Sequence, residues 1–135
     1  MPHIIIEYSA NLREAIRLPA LIDHLHATAL TTGVFPLGGT RTRAAERTHY
    51  RIADGHPDNG FVHVTLRIGH GRDLPTRERA GRTIFDALCE FLGPVYETRP
   101  LGISFEVQEL DPVLNFKQNN LHDYVAARKA GQEKP

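Results

Sequence analysis

The second residue of the chain is a proline, and the apolar, strand-like run His3-Ile4-Ile5-Ile6-Glu7-Tyr8 begins directly behind it. A small residue at this position lets an initiator methionine be trimmed, which would leave Pro2 as a free secondary amine. Such an amine is a base and a nucleophile held by its own ring, with a reference α-amino pKa near 7.7–8.0 that neighbours can lower. Termini are normally disordered unless something ties them down, and here an ordered strand is expected to start with no slack. With Met1 attached the same nitrogen is an amide without basicity, so the chemistry depends on processing. The structural alternative is that Pro2 merely opens a strand, where its missing N–H costs little.

Other side chains with chemical reach are less distinctive. Arg41 and Arg43 stand at i and i+2, on one face of an extended segment, and Arg72 closes the turn Gly69-His70-Gly71-Arg72. Taken alone, each arginine reads as a solvated surface charge. Among eight histidines, His24 and His26 lie two apart on a helical stretch and face different ways, His56 lies in a turn, and His49 and His63 are isolated. Zinc-type His/Cys spacing is missing, so no metal is expected. Gly38-Gly39 and Gly69-x-Gly71 do not sit in the strand-turn-helix spacing of a dinucleotide fingerprint, and no cofactor is expected.

The elements that must position these residues fit one domain. A chain of 135 residues can bury roughly two-thirds of the surface its unfolded state exposes. Sixteen basic residues balance sixteen acidic ones, which argues against nucleic acid or a membrane surface as a partner. The single Cys89 excludes an internal disulfide and suits a reducing compartment, and there is neither a membrane-length apolar run nor a signal-peptide pattern. A cytoplasmic protein is expected.

After the first strand, His3 to Tyr8, and a turn at Ser9-Ala10-Asn11, Ile16, Leu21, Leu25 and Ala29 recur at helical spacing, and Gly33 ends the stretch. Pro19 inside that pattern means either a start near Leu18 or a kink. Thr40 to Ala53 reads as extended, and Asp54 to Gly60 as a loop. A second strand–helix–strand series follows: Phe61 to Ile68, Pro75 to Leu92 with Ile84, Leu88 and Phe91 on one face, a turn at Gly93-Pro94, and Leu101 to Leu110. Two β-α-β units, about 2–53 and 61–110, are thus offset by about sixty residues. They predict an α/β (α+β) domain with a four-stranded mixed sheet and two helices on one face. A segment over 111–125 with a short helix from Leu121 to about Lys129 completes a domain of residues 1–125, leaving a charged tail at 126–135 whose last five or six residues are expected to be disordered.

At this point the chain resembles the tautomerase superfamily, and within it the 5-carboxymethyl-2-hydroxymuconate isomerases of aromatic-acid catabolism. The pieces that carry the resemblance are Met-Pro-His-Ile-Ile-Ile-Glu, Thr32-Gly33-Val34-Phe35-Pro36-Leu37, Phe61-Val62-His63-Val64-Thr65-Leu66 and Leu114-Asn115-Phe116-Lys117-Gln118-Asn119-Asn120. The resemblance runs from Pro2 to about Tyr124. It implies a cofactor-independent keto–enol isomerase that converts 5-carboxymethyl-2-hydroxymuconate to its 2-oxo-3-ene isomer in homoprotocatechuate catabolism. It also implies that Pro2 shuttles the proton and that cations bind the carboxylates of a conjugated enol. The family pattern matches Arg41 best as a pocket residue, with Arg43 in reserve, and it also matches Arg72. Phe116 is expected either in the apolar wall of the site or in core packing.

Two other activities stay open on the sequence: another proline-based reaction such as decarboxylation or hydration of an unsaturated acid, and a non-catalytic small-ligand module of the same topology. Two helices cover one face of a four-stranded sheet, and Ile4-Ile5-Ile6 and Val62 to Leu66 are expected to put apolar residues on both faces. That predicts an oligomer, and the resemblance implies a homotrimer with sheets inside, three active sites, and the segment around Phe116 reaching a neighbouring chain.

Overall fold

In a computed structural model, which describes residues 1–131, the chain alternates strands and helices as two successive units. Strand β1 (His3–Ser9) is followed by a 3-10 turn (Ala10–Leu12), helix α1 (Leu18–Thr31), a second 3-10 turn (Leu37–Gly39) and strand β2 (Arg41–Arg47). Then come β3 (Gly60–Ile68), α2 (Leu74–Phe91), the short α3 (Gly93–Thr98), β4 (Leu101–Glu109) and α4 (Leu121–Lys129). Of the last five or six residues, for which disorder is expected, 132–135 lie outside the described residues.

The sheet order is β2-β1-β3-β4, with β1 parallel to β2, β3 parallel to β4, and β1 antiparallel to β3. This is the mixed four-stranded sheet expected from the doubled unit. Period-two alternation sends Ile4, Ile6 and Tyr8 of β1 and Val62, Val64, Leu66 and Ile68 of β3 into one core. Helix spacing sends Leu21, Leu25 and Ala29 of α1 and Ala80, Ile84 and Leu88 of α2 into that same core. Each fully buried Leu or Ile contributes about 1.5–3 kcal/mol relative to exposure.

Local chemistry sets the helix starts. Pro19 sits in the first turn of α1, where its missing N–H has no intrahelical partner to lose, so the helix begins at Leu18 and is not kinked. Helix α2 is capped by Asp73, whose carboxylate accepts a 2.9 Å hydrogen bond from the Thr76 amide.

Three details depart from expectation. Gly93-Pro94 is not a plain turn: Pro94 opens α3, and Val95 is tucked into the core. Strand β2 stops at Arg47 rather than continuing to Ala53, because its partner β1 ends at Ser9, opposite Arg47. Finally, the second sheet face carries far fewer apolar residues than expected. The register places His3, Glu7, Arg43, Arg47, His63, Thr65, Ser104 and Glu106 on the face away from the helices, with Ile5 and Phe61 among them. Ile4 and Ile6, like Val62, Val64 and Leu66, share the helix side because neighbours in a strand point oppositely. Among the described residues, no helix is long and apolar enough to cross a membrane.

Candidate active site

The N-terminus is held by the start of the sheet. Pro2 is buried, and its carbonyl accepts a 3.1 Å hydrogen bond from the amide of Arg41, one step before the His3–Arg41 register pair. The parallel pairing of β1 with β2 therefore delivers the first residues of both strands to one end of the sheet.

The turn ahead of Arg41 brings in a third segment. A Cβ on Gly39 would lie 3.7 Å from Cδ of Pro2, so the turn lies directly against the proline ring. A Cβ on Gly38 would fall 2.5 Å from Nδ1 of His122 and 2.9 Å from its Cα, so glycine is what lets the start of α4 approach. The Asn119 side chain donates to the Gly38 carbonyl at 3.1 Å. The C-terminal segment thus lies across the turn that abuts Pro2.

Arg41 donates through Nη1 to the Gly39 carbonyl at 2.9 Å, and the same nitrogen is 2.8 Å from the Met1 sulfur. Arg72 donates to the carbonyls of Gly69 and Val34, both at 3.4 Å, and its guanidinium carbon stands 5.4 Å from the ring centre of the buried Phe35. Backbone carbonyls fix the orientation of both guanidinium groups without cancelling their charge. Among the described residues, neither arginine nor Lys117 is ion-paired with a carboxylate.

The N-terminal ammonium responds to this environment. Burial pushes its pKa below the usual α-amino value, and the charges of Lys117, Arg72 and Arg41 push it further the same way. An amine whose pKa is lowered in this way, near cations that no carboxylate offsets, suits proton abstraction from an anionic substrate. In the full-length chain the titrating group is the Met1 amine, with the Pro2 nitrogen one residue further in.

The candidates read from the sequence separate. Pro2, Arg41 and Arg72 converge on the N-terminus. Arg43 does not: its exposed side chain donates to Nδ1 of His3 at 3.1 Å on the open sheet face, and burial followed by the Arg43 charge lowers the His3 pKa. Phe116 lies outside the core of its own chain, 86% exposed, with the similarly exposed Val113 and Leu114 just before it in the sequence. Core packing within its own chain is thereby ruled out, because the 111–120 segment runs along the surface. Sequence reasoning missed Lys117 and His122. Lys117 was legible as the residue after Phe116 in the segment that carried the resemblance, but nothing local tied it to Pro2.

The groove of about 450 Å³ between α2 and β4, walled by Gly81, Phe85, Phe105 and Val107, contains none of these residues. Among the described residues, no group of three or more His, Cys, Asp or Glu side chains is arranged to hold a metal. His24 stacks on Phe91, and His26 bonds the Thr42 hydroxyl at 2.8 Å.

Residues 2–125 match the family described as 5-carboxymethyl-2-hydroxymuconate isomerase. The chain is 45% identical over 122 residues to a 5-carboxymethyl-2-hydroxymuconate Delta-isomerase of Escherichia coli, spanning 90% of this chain and 97% of that one. A crystal structure of a 5-carboxymethyl-2-hydroxymuconate delta-isomerase superposes with a TM-score of 0.86 at 36% identity, over 93% of each chain. The 5-carboxymethyl-2-hydroxymuconate isomerase from Deinococcus radiodurans R1 gives 0.86 at 34% identity, over 92% of this chain and 93% of that one. A fused 4-OT symmetric trimer, at 17% identity and a TM-score of 0.57, shares the fold over 87% of this chain and 92% of its own.

Proposed function

The chain belongs to the 5-carboxymethyl-2-hydroxymuconate isomerase family of the tautomerase superfamily, and on that premise we propose that it isomerises its substrate through the nitrogen of Pro2 after Met1 is removed. It is an isomerase of 5-carboxymethyl-2-hydroxymuconate. The supporting observation is the meeting of a buried N-terminus with Arg41, Arg72 and Lys117, whose charges favour a neutral amine.

The Pro2 nitrogen takes the proton of the 2-hydroxyl. The O–H electron pair becomes the C2=O π bond, the double bonds shift to C3=C4, and the ammonium returns the proton to C5. The product is the 2-oxo-3-ene isomer, with atoms and electrons conserved and no external oxidant or acid. Arg41 and Arg72 bind carboxylates of the substrate. Their planar forks can make paired hydrogen bonds and stay charged throughout the cycle. A base matched to working pH contributes about 10²–10⁴-fold in rate.

The working form in this reading is a homotrimer in the cytoplasm, with three active sites. The exposed run of Val113, Leu114 and Phe116 supports assembly, because a monomer rarely leaves neighbouring large apolar side chains in water. Phe116 then supplies an apolar wall to a neighbouring site.

Intact mass combined with an absorbance assay tests the activity. Material lacking Met1 should consume the dienol, whereas material retaining Met1 should be inactive. A fully active species that keeps Met1 would remove Pro2 from the mechanism. Sedimentation equilibrium at micromolar concentration tests the assembly, and a stable, fully active monomer would overturn it.

A further inference from the structure

Three uncompensated cations act on the N-terminal nitrogen, and the substrate carries three carboxylates. Two of these end the conjugated diene, and the third sits on a saturated carboxymethyl arm. Arg41 and Arg72 are partly buried and pinned by backbone carbonyls on the sheet end and the turn after β3. Such fixed forks suit the carboxylates of a rigid, planar diene.

Lys117 is placed differently. It is exposed, and it stands two residues before Asn119, which is tied to the Gly38 carbonyl at 3.1 Å. Two residues span at most about 7 Å, so this anchor keeps Lys117 beside the turn that touches Pro2. His122 closes the other side of the anchor against Gly38. A lysine offers a point charge on a flexible stem, which can follow an arm that rotates freely.

Resting on the function proposed above, we infer that Lys117 binds the carboxylate of the carboxymethyl arm and so sets the preference for three-carboxylate over two-carboxylate dienols. The N-terminal pKa supports this placement, since the Lys117 charge is the largest electrostatic influence on it after burial.

The test compares 5-carboxymethyl-2-hydroxymuconate with 2-hydroxymuconate, which lacks the arm, in wild type, Lys117→Gln and Lys117→Arg. Inhibition constants replace kcat/KM if the shorter acid is not turned over. Lys117→Gln should lower kcat/KM for the three-carboxylate substrate about 10- to 100-fold more than for the two-carboxylate acid, the difference arising mainly in KM. Lys117→Arg should keep most of the preference. The ratio between the two substrates cancels any change in the amine itself, so a purely electrostatic effect on the base lowers both equally and overturns the assignment. An unchanged ratio does the same. Failure of trimmed wild type to isomerise the three-carboxylate substrate would instead bring down the reading of the activity. Circular dichroism checks that the variants fold, and a Lys117→Arg protein that folds but loses the preference also counts against the inference.

Discussion

The amide of Arg41 donates to the carbonyl of Pro2 at 3.1 Å. The residue proposed as the base and a residue proposed to bind a carboxylate therefore enter the sheet side by side, although about forty positions separate them in the chain. Their spacing is set by backbone pairing and needs no side-chain contact. Substitutions of the Arg41 side chain should accordingly change the charge at the site without moving Pro2.

Pro2→Ala retains an amine after trimming but loses the ring and the secondary-amine basicity. We expect kcat to fall by at least about tenfold with the fold unchanged, within the range assigned to a matched base. Steady-state kinetics checks this on variant protein whose intact mass shows that Met1 is gone and the new alanine is the first residue. Full activity would exclude Pro2 as the base.

Arg41→Ala and Arg72→Ala should each lower kcat/KM about 10- to 100-fold, the scale of a charge-assisted hydrogen bond. Arg43→Ala should change it by less than about threefold, because Arg43 is occupied with His3 on the open face. A larger effect from Arg43 than from Arg41 would reverse the assignment.

Burial and three cations lower the pKa of the Met1 amine, and the same surroundings acting on the trimmed Pro2 nitrogen would keep it neutral to lower pH. The acidic limb of kcat/KM against pH should therefore lie below the usual α-amino range of about 7.7–8.0. Replacing Arg41 or Arg72 by alanine takes away a charge that disfavours the ammonium and should move that limb upward. Profiles that overlay wild type would separate these charges from the base.

Gly38→Ala places a methyl against the ring and backbone of His122, at 2.5 and 2.9 Å before any relaxation. Because the Cα of His122 cannot swing away, α4 must shift. Hydrogen exchange should show faster opening of residues 119–129 while β1 and β3 stay protected. Activity should fall along with the lost anchor.

Phe116→Ala removes a ring that is 86% exposed in the single chain. The variant should keep its helical signal while losing both self-association in sedimentation and activity. A variant with unchanged assembly and activity would leave Phe116 outside any neighbouring site.

Much of this protein was determined by local pattern. The doubled unit was visible because strands repeat at two and helices at four: Ile4 with Ile6, Val62 with Val64, and Leu21 with Leu25 bury together wherever the chain adopts those elements. Position alone marked Pro2 as a candidate amine and no less as a residue that merely opens a strand, and the resemblance of the surrounding segments singled out the amine. Tertiary structure decided what spacing leaves open. Arg41 and Arg43 share a strand face, and only the Gly38-Gly39 turn, folded against Pro2, directs the first to the N-terminus while His3 engages the second. Likewise, only the register showed that the open sheet face is mostly polar, because a single slip would exchange Ile5 for Ile4 and Ile6. The closeness of Lys117 and His122 to the site depends on a hydrogen bond across 81 positions, from Asn119 to Gly38, and no local periodicity encodes a contact made that late in the fold.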